Sequence, residues 1–367
     1  MPELDYITIK GFKSIASIEE LKLGAINLVI GPNGSGKSNF IGVFSFLHAI
    51  RQGHLQEYLL MAGGAEKVLH FGSKETEEIR LRISFQDGVN QYEIALKPLG
   101  ADSLFPSSEV VYFWDKRYPK PYGENLASEG KEAGISGTKV GRIGSYVRAH
   151  LDRWRLYHFH DTSRSSPMKK TANLNDNRYL REDGSNIAPF LYYLREKHEN
   201  AYSLIRRTVQ RVAPFFDDFQ LEPQKLNPDK ILLEWKHKGS EAYFDATALS
   251  DGTLRFIAIA TLFLQPEIYR PSVILVDEPE LGLHPYAITM LASLAKQAST
   301  KTQVIISTQS PLLLDHFSPE DVLVADRVDG GTQFTRLDSK KLGGWLVNYS
   351  LGQLWEKNEF GGRPTPE

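Results

Sequence analysis

The pattern of apolar and polar positions divides the 367-residue chain into predicted strands, helices and polar connections. Residues 6–10 and 79–85 alternate apolar and polar side chains, as strands with one buried face do. Residues 91–96 return after a short turn, which predicts a β-hairpin whose loop is slightly longer than two residues. We expect residues 6–10 to form an edge strand and residues 18–23 to form the strand that follows.

Two runs are apolar without alternation, at residues 25–30 and 271–278. Such continuous runs are typical of strands in a parallel sheet covered on both faces. A helix with an apolar face is predicted from Asn39 onward, and another over residues 256–264. A further strand that ends in polar residues is predicted to begin at Gln303.

The middle of the chain is less regular. Residues 100–144 are rich in Gly, Ser, Pro and Lys, so we expect a loop or insertion that holds one strand at 110–114. A helical pattern begins at Ser145 and runs to residue 161. A long periodic segment over residues 187–212 predicts a helical arm that Pro214 ends.

Short strands are predicted over residues 219–221 and 231–235. Together these patterns suggest three parts. Residues 1–100 form an N-terminal lobe, residues 101–240 an inserted helical subdomain with flanking strands, and residues 241–367 a C-terminal lobe.

A glycine-rich motif lies between the first continuous strand and its helix. Gly31–Ser38 fits G-x-x-x-x-G-K-[ST] at each fixed position, and the strand–loop–helix context is that of a P-loop. Glycines allow backbone N–H groups to face phosphate oxygens, and the helix N-terminus favours negative charge. Lys37 would reach the β- and γ-phosphates and Ser38 would hold Mg²⁺. The expected nucleotide contacts are Asn33, Gly34, Ser35, Gly36, Lys37, Ser38 and Asn39. The alternative is a glycine-rich turn that matches the motif by chance.

Two carboxylates end the second continuous run. Ligands bind at the carboxyl ends of parallel strands, so Asp277 is placed to bind Mg²⁺, usually through water. Glu278 can orient and polarise the water that attacks the γ-phosphate. A solvated strand end is the alternative interpretation.

Bulk properties exclude some classes of protein. The formal net charge of −2 gives no general attraction to nucleic acid or membranes, and the absence of cysteine excludes disulfides and cysteine-bound metals. We expect a cytoplasmic protein without a signal peptide, membrane span or membrane partner. Several basic residues could still form a binding track for DNA or RNA, or could simply lie on solvated faces. They are Arg142, Arg148, Arg153, Arg155, Lys169, Lys170, Arg206, Arg207 and Arg211.

Further motifs indicate a family. Leu249–Arg255 resembles the LSGGQ signature of ABC-type ATPases, with Asp251 and Thr253 as departures, and residues 279–285 resemble the D-loop of that family. Residues 7–15, 157–163 and 349–355 are similar to stand-alone members of its RecF/SMC/OLD-like branch, the prokaryotic "AAA family ATPases". The resemblance implies an α/β P-loop NTPase fold. It would be an ABC-type head with a mixed core sheet, an N-terminal antiparallel β subdomain and an inserted helical subdomain.

The resemblance also implies cofactors and partners. ATP and Mg²⁺ would bind between two heads of a head-to-tail homodimer or higher assembly, with Ser250, Asp251 and Gly252 acting on the partner's nucleotide. Gln309 stands where relatives usually carry a switch histidine, and it can hydrogen-bond the γ-phosphate or water but cannot carry a proton charge.

The Q-loop role is open, since Gln86 lies in the hairpin. By the family pattern we expect Asp161 there, as a further metal ligand, or His158 and His160. Packing and capping at a domain junction would explain the two histidines equally well.

Three functions remain open. The first is an ATP-hydrolysing switch that acts on or near nucleic acid, in antiphage defence or DNA maintenance. The second is a RecF-like DNA-repair clamp. The third is a nucleotide-gated scaffold with little hydrolysis that holds a toxin or nuclease. A transporter subunit or a P-loop kinase does not fit these motifs. Any nuclease activity would reside in a separate effector protein, and DNA is a possible partner.

Overall fold

The computed structural model describes residues 3–100, 102–128 and 130–362, and contacts group them into two compact units. The first unit contains the described residues up to Trp154 and again from Ser318, and the second contains Arg155–Phe317. The three-part division expected from the sequence stays a prediction. Among the described residues, no helix combines the length and apolar character that a membrane span needs.

The bounds of the regular elements follow in chain order. The strands are β1 (Leu4–Phe12), β2 (Ile15–Lys22), β3 (Ile26–Ile30), β4 (Ile79–Phe85), β5 (Asn90–Leu99), β6 (Ser103–Phe113), β7 (Tyr122–Asn125), β8 (Trp154–Tyr157), β9 (Ala172–Asn173), β10 (Phe216–Gln220), β11 (Pro223–Gln224), β12 (Asn227–Ile231), β13 (Glu234–His237), β14 (Tyr243–Asp245), β15 (Val273–Asp277), β16 (Gln303–Thr308), β17 (Val322–Val328) and β18 (Gly331–Arg336). The α-helices are α1 (Lys37–Gln52), α2 (Leu55–Ala62), α3 (Ala65–Val68), α4 (Gly141–Leu151), α5 (Ile187–Lys197), α6 (Glu199–Val212), α7 (Asp251–Leu264), α8 (Pro285–Ser299), α9 (Pro311–Leu314), α10 (Ser339–Leu342) and α11 (Leu351–Glu356).

An antiparallel sheet of order β2-β1-β4-β5-β6-β7 dominates the first unit. The predicted hairpin is confirmed as β4 and β5, with residues 86–89 between them. The prediction of β1 as an edge strand is wrong, because β1 pairs with β2 on one side and with β4 on the other. Alternating apolar and polar residues indicate that one face of a strand is buried, but they do not indicate how many strands lie beside it.

The described residues of the segment 100–144, expected to be a loop or insertion with one strand at 110–114, contain more strand than predicted, and the predicted strand lies in β6 up to Phe113. β6 is eleven residues long and pairs along β5, and β7 pairs with β6. The helix expected from Ser145 to residue 161 is α4, which begins earlier and ends at Leu151 before β8. Cross-strand pairing therefore stabilises a polar sequence that local propensity alone would leave irregular.

The first unit also contains β3, which pairs in parallel with β17, and β17 pairs in antiparallel fashion with β18. All five residues of β3 are buried, as its continuous apolar run predicts. α1 follows β3 after residues 31–36 and buries an apolar face that includes Phe40, Phe44 and Leu47.

In the second unit β15 and β16 pair in parallel. α7 is almost wholly apolar from Leu254 to Leu264 and is buried along that length. The segment over residues 187–212 forms two helices, because the backbone of His198 leaves the helical region (φ −141°, ψ 54°) between α5 and α6.

The strand predicted over residues 231–235 is also divided. Ile231 ends β12, which pairs with β9 and β11, whereas Glu234 begins β13, which pairs with β10 and β14. One apolar run thus serves two three-stranded sheets. Its pattern could not show the break because side chains on both sides of it are buried.

A buried carboxylate ties the polar segment after β7 to the antiparallel sheet. Glu109 on β6 is 4% exposed and accepts hydrogen bonds from Tyr92 Oη at 2.9 Å, the Gly134 amide at 2.6 Å and the Ile135 amide at 2.8 Å. Burial raises the pKa of Glu109, and the three donors oppose that shift. Each donor would lack a partner if the carboxylate were removed.

We predict that Glu109→Ala lowers the free energy of unfolding by about 3 kcal/mol or more, since three buried donors lose their acceptor. Urea denaturation measures this loss. Glu109→Gln keeps one acceptor oxygen and should lose less. Equal stability of Glu109→Ala and the wild type would contradict the assigned role.

Candidate functional site

The P-loop residues connect β3 to α1 in the first unit. Gly34 and Gly36 have φ angles of 82° and 102°, which side-chain-bearing residues rarely adopt. A Cβ on Gly36 would stand 2.1 Å from Thr332 Oγ1. α1 begins at Lys37, two residues before the predicted start, and no side chain caps its N-terminus. No side chain therefore competes with an anion at this helix N-terminus.

Lys37 folds back over this loop. Its side chain is 5% exposed, and Nζ donates to the carbonyl oxygens of Gly31 at 2.7 Å and Pro32 at 2.9 Å. The Ser35 hydroxyl is buried and has no hydrogen-bond partner in the described part of the chain. Ser38 is exposed, so an ion can reach its hydroxyl group from solvent.

Asn39 has a supporting contact in the same unit. Its amide donates to Ser14 Oγ at 2.7 Å, and Ser14 Oγ shares a hydrogen bond with Thr332 Oγ1 at 2.8 Å. This chain of polar groups fixes the side of α1 next to the loop. The unpartnered Ser35 hydroxyl, the uncapped helix and the ammonium group of Lys37 together fit a nucleotide phosphate.

In the second unit, Asp277 and Glu278 stand at the end of β15, as predicted. The register pairs Asp277 with Ser307 of β16. The Ser307 hydroxyl donates to Asp277 Oδ1, and the Ser307 carbonyl oxygen accepts the Glu278 amide at 2.9 Å. One residue of β16 therefore holds both acidic residues.

Glu278 has a left-handed backbone, with φ 39°. Such a conformation costs a non-glycine residue of the order of 1–3 kcal/mol and persists where the surroundings impose it. Gln309 Nε2 donates to Glu278 Oε1, so the two predicted catalytic side chains contact each other. Gln309 thus orients the carboxylate that would polarise a water.

A third carboxylate, Glu280, was not predicted as a site residue. It is 7% exposed, and its Oε1 accepts the Thr308 hydroxyl and the Gln309 amide, the latter at 3.2 Å. Its Oε2 is buried without a hydrogen-bond partner in the described residues. Burial raises the pKa of Glu280, and the charge of Glu278 adds to that shift. Its place after Pro279 in an Asp-Glu-Pro-Glu run was the only available signal.

The signature segment begins α7. Ser250 caps the helix by accepting the Thr253 amide at 3.2 Å, which confirms the predicted cap. Asp251 is exposed, 3.7 Å from Lys169 Nζ. A Cβ on Gly252 would stand 2.3 Å from the carbonyl oxygen of Gly282, so the signature packs directly on the D-loop segment of the same chain.

Arg255 secures this contact from the next turn of α7. It is 7% exposed and donates from Nε to the Phe159 oxygen at 2.9 Å, from Nη2 to the His160 oxygen at 3.0 Å, and from Nη1 to the Leu281 oxygen. Burial lowers its pKa, and the charges of Asp251 and Glu280 oppose that shift. An arginine inside an otherwise apolar helix was the sequence signal for this role.

The candidates for the Q-loop role have different neighbours in the structure. His158 and His160 group with Asp277, their ligand atoms lying within 4.8 Å of one another. Asp161 instead accepts the Ser163 hydroxyl at 2.6 Å and the Ser163 amide at 3.0 Å, bonds that lower its pKa. Partial removal of water from around the imidazole lowers the pKa of His158, and the charge of Asp277 opposes that shift. The metal role of Asp161 stays a prediction.

Gln86 lies in the loop between β4 and β5 of the first unit, where its side chain accepts a hydrogen bond from Asn90 at 3.2 Å. Several of the predicted basic residues are engaged within the chain. Arg148 donates to Gly137, Lys169 to Thr162 and Arg206 to Asp218. Arg207 and Arg211 are exposed on α6.

A family model described as "AAA domain, putative AbiEii toxin, Type IV TA system" matches residues 26–315. The chain is also similar to two curated proteins named chromosome partition protein Smc. It is 30% identical over 112 residues to the one from Mycobacterium tuberculosis and 31% identical over 112 residues to the one from Mycolicibacterium paratuberculosis. Each match takes in 25% of this chain and 9% of the relative, so the chain spans a small part of these proteins.

Solved structures of SMC head domains are similar over most of the chain. A head bound to the C-winged helix domain of ScpA gives a TM-score of 0.62 at 17% identity, covering 93% of this chain and 99% of that one. A Pyrococcus furiosus head with an extended coiled coil, bound to the C-terminal domain of ScpA, gives 0.55 at 16% identity with 95% and 99% covered. The Thermotoga maritima head gives 0.51 at 15% identity with 92% and 99% covered. The predicted α/β fold of an ABC-type ATPase head is confirmed.

We predict that Glu280→Gln flattens the dependence of stability on pH. The pKa of Glu280 is raised in the folded chain, so its stabilising contribution is complete below about pH 4.5 and is lost as pH rises through the folded pKa. Glutamine does not ionise, so the variant should not lose stability as pH rises. Urea denaturation at a series of pH values from about 4.5 upward measures the effect.

Glu241→Gln, at an exposed position, is the control for Glu280→Gln. It should leave the pH profile unchanged. Parallel profiles for Glu280→Gln and the wild type would show that Glu280 ionises as readily in the folded chain as in the unfolded one.

We predict that Arg255→Met lowers the free energy of unfolding by about 2 kcal/mol or more, since three carbonyl groups lose a charged donor. Amide hydrogen exchange should accelerate in residues 158–161 and 281–283, because these segments open locally. Arg270→Met is a matched control, since Arg270 donates to a single carbonyl, that of Gln265. If residues 158–161 and 281–283 exchange in Arg255→Met at the wild-type rate, the role assigned to this side chain is refuted.

Proposed function

Because the chain belongs to the AAA-domain family whose model matches residues 26–315, and has the fold of SMC-type ATPase heads, we propose that it is an ATP-hydrolysing switch. The observation that carries this proposal is the geometry at the end of β15. There Glu278 is held in a left-handed conformation beside Asp277, with Gln309 on its carboxylate. A strained acid with both its backbone and side chain fixed is suited to polarising water.

We assign the nucleotide roles as follows. Lys37 leaves the carbonyl oxygens of the loop to bind the β- and γ-phosphates, the backbone of residues 33–39 surrounds them, and Ser38 and Asp277 hold Mg²⁺, with Asp161 a further candidate ligand. Glu278 activates water, and Gln309 keeps its carboxylate in place. The ion supplies charge neutralisation to the phosphates when it is bound.

We further propose a head-to-tail homodimer, or a higher assembly, that forms around ATP. Ser250, Asp251 and Gly252 lie at the start of α7, where Ser250 and Asp251 are exposed, and this helix N-terminus would bind the γ-phosphate of the partner's nucleotide. Arg255 and Gly252 join this helix to the D-loop segment. Closure around ATP would therefore reach residues 281–283 directly.

For the biological role we propose a cytoplasmic switch that works near nucleic acid, in antiphage defence or DNA maintenance, with a separate effector such as a nuclease. The family description names a toxin of a toxin–antitoxin system, and two of the solved heads carry a bound ScpA domain, which supports a separate partner. The curated relatives are named chromosome partition proteins, which supports DNA maintenance.

Two alternatives have specific support. A glutamine, Gln309, stands where relatives usually carry a switch histidine, and its inability to carry a proton charge favours a scaffold with little hydrolysis. Arg207 and Arg211, exposed one turn apart on α6, favour a DNA clamp.

We predict that Glu278→Gln binds Mg-ATP without hydrolysing it and accumulates as a dimer, because ATP holds the heads together until water attacks. Light scattering with and without Mg-ATP measures the mass, and phosphate release measures hydrolysis. Ser250→Asp within this background should keep the helix cap but repel the γ-phosphate, leaving an ATP-bound monomer.

Lys37→Ala is the control that should lose ATP binding itself. An unchanged mass of Glu278→Gln on adding Mg-ATP, with ATP bound, would reject the head-to-tail mechanism. Phosphate release at the wild-type rate by Glu278→Gln would reject the catalytic role of Glu278.

A further inference from the structure

Two histidines and a carboxylate converge in the second unit. The donor atoms of His158, His160 and Asp277 lie within 4.8 Å of one another, and His160 Nε2 is 3.9 Å from Asp277 Oδ2. The part of β8 in this unit neighbours β15, which brings residues 158–160 to the end of that strand. Both histidines are exposed, so an ion can reach them from solvent.

The separation of these atoms suits an ion between them. A distance of 3.9 Å is too long for a hydrogen bond. Two bonds from one ion, each about 2.1 Å long, span at most about 4.2 Å between their donor atoms. The pair of His160 and Asp277 already lies inside that reach, and the donor atom of His158 lies within 4.8 Å of the other two.

The surroundings hold the Asp277 carboxylate and the backbone of both histidines in place. Ser307 donates to Asp277 Oδ1, which leaves Oδ2 directed at His160. The backbone oxygen of His160 accepts from Arg255, and the backbone amide of His158 donates to the Glu182 oxygen at 2.9 Å. The contact of Ser307 with the Asp277 carboxylate is of the kind that orients a metal ligand and raises metal affinity.

The donor set selects the class of metal. Mg²⁺ prefers oxygen ligands, whereas imidazole nitrogen suits Zn²⁺, Co²⁺, Fe²⁺ and other transition metals. We propose that His158, His160 and Asp277 form a transition-metal site, with coordination positions left open for water or a phosphate oxygen. It shares Asp277 with the proposed ATPase but requires no nucleotide, so the two proposals can fail separately.

The test uses Co²⁺ as the probe on the metal-free full chain without nucleotide. We expect one Co²⁺ per chain, a visible d–d spectrum typical of nitrogen and oxygen ligands, and no displacement by excess Mg²⁺. The double variant H158Q/H160Q, and separately D277N, should lose about 10- to 100-fold or more in affinity. Thermal unfolding of these variants checks that they fold.

H54Q, at an exposed histidine of the first unit, is the matched control and should bind Co²⁺ as the wild type does. Wild-type affinity and spectrum in H158Q/H160Q would overturn the proposal, as would displacement of Co²⁺ by excess Mg²⁺. K37A distinguishes the two proposals, since it should lose ATP binding and keep Co²⁺ binding. A wild type that binds Co²⁺ but no ATP would reject the ATPase and leave the metal site standing.

Discussion

The parallel register of β15 against β16 sets the position of every acidic group at this strand end. Because Asp277 pairs with Ser307, the hydroxyl and carbonyl groups of Ser307 hold Asp277 and Glu278. The next two residues of the chain, Thr308 and Gln309, then bind Glu280 and Glu278. A shift by one residue would turn these polar side chains away from the carboxylates, since successive residues of a strand point to opposite faces.

Three carboxylates lie close together at this strand end, so the repulsion between their negative charges must be reduced. Gln309 donates to Glu278, and burial raises the pKa of Glu280, which favours its neutral form. Asp277 keeps an oxygen that faces His160 rather than another acid. Burial therefore reduces the negative charge at Glu280, which lies next to the carboxylates that would hold a cation and a water.

Arg255 connects this strand end to the signature helix. A buried guanidinium is stable only where its donors find acceptors, and here three backbone carbonyls from two separate segments supply them. The same side chain therefore fixes the backbone of His160 and the D-loop segment at Leu281. Any ligand that moves the start of α7 would therefore act on both segments, because Arg255 contacts each of them.

The amino-acid sequence by itself determined the local motifs. Gly31–Ser38, the apolar strands β3 and β15, and the Ser250 cap depend on neighbouring residues, so their patterns predicted them correctly. The sequence did not determine pairing. The interior place of β1, the extension of the sheet by β6 and β7, and the break before β13 depend on contacts between residues far apart in the chain. The buried state of Glu280, the reach of Arg255 and the meeting of the two histidines with Asp277 were likewise decided by tertiary structure. Burial and ligand geometry are properties of what surrounds a residue, and a sequence pattern records only its neighbours along the chain.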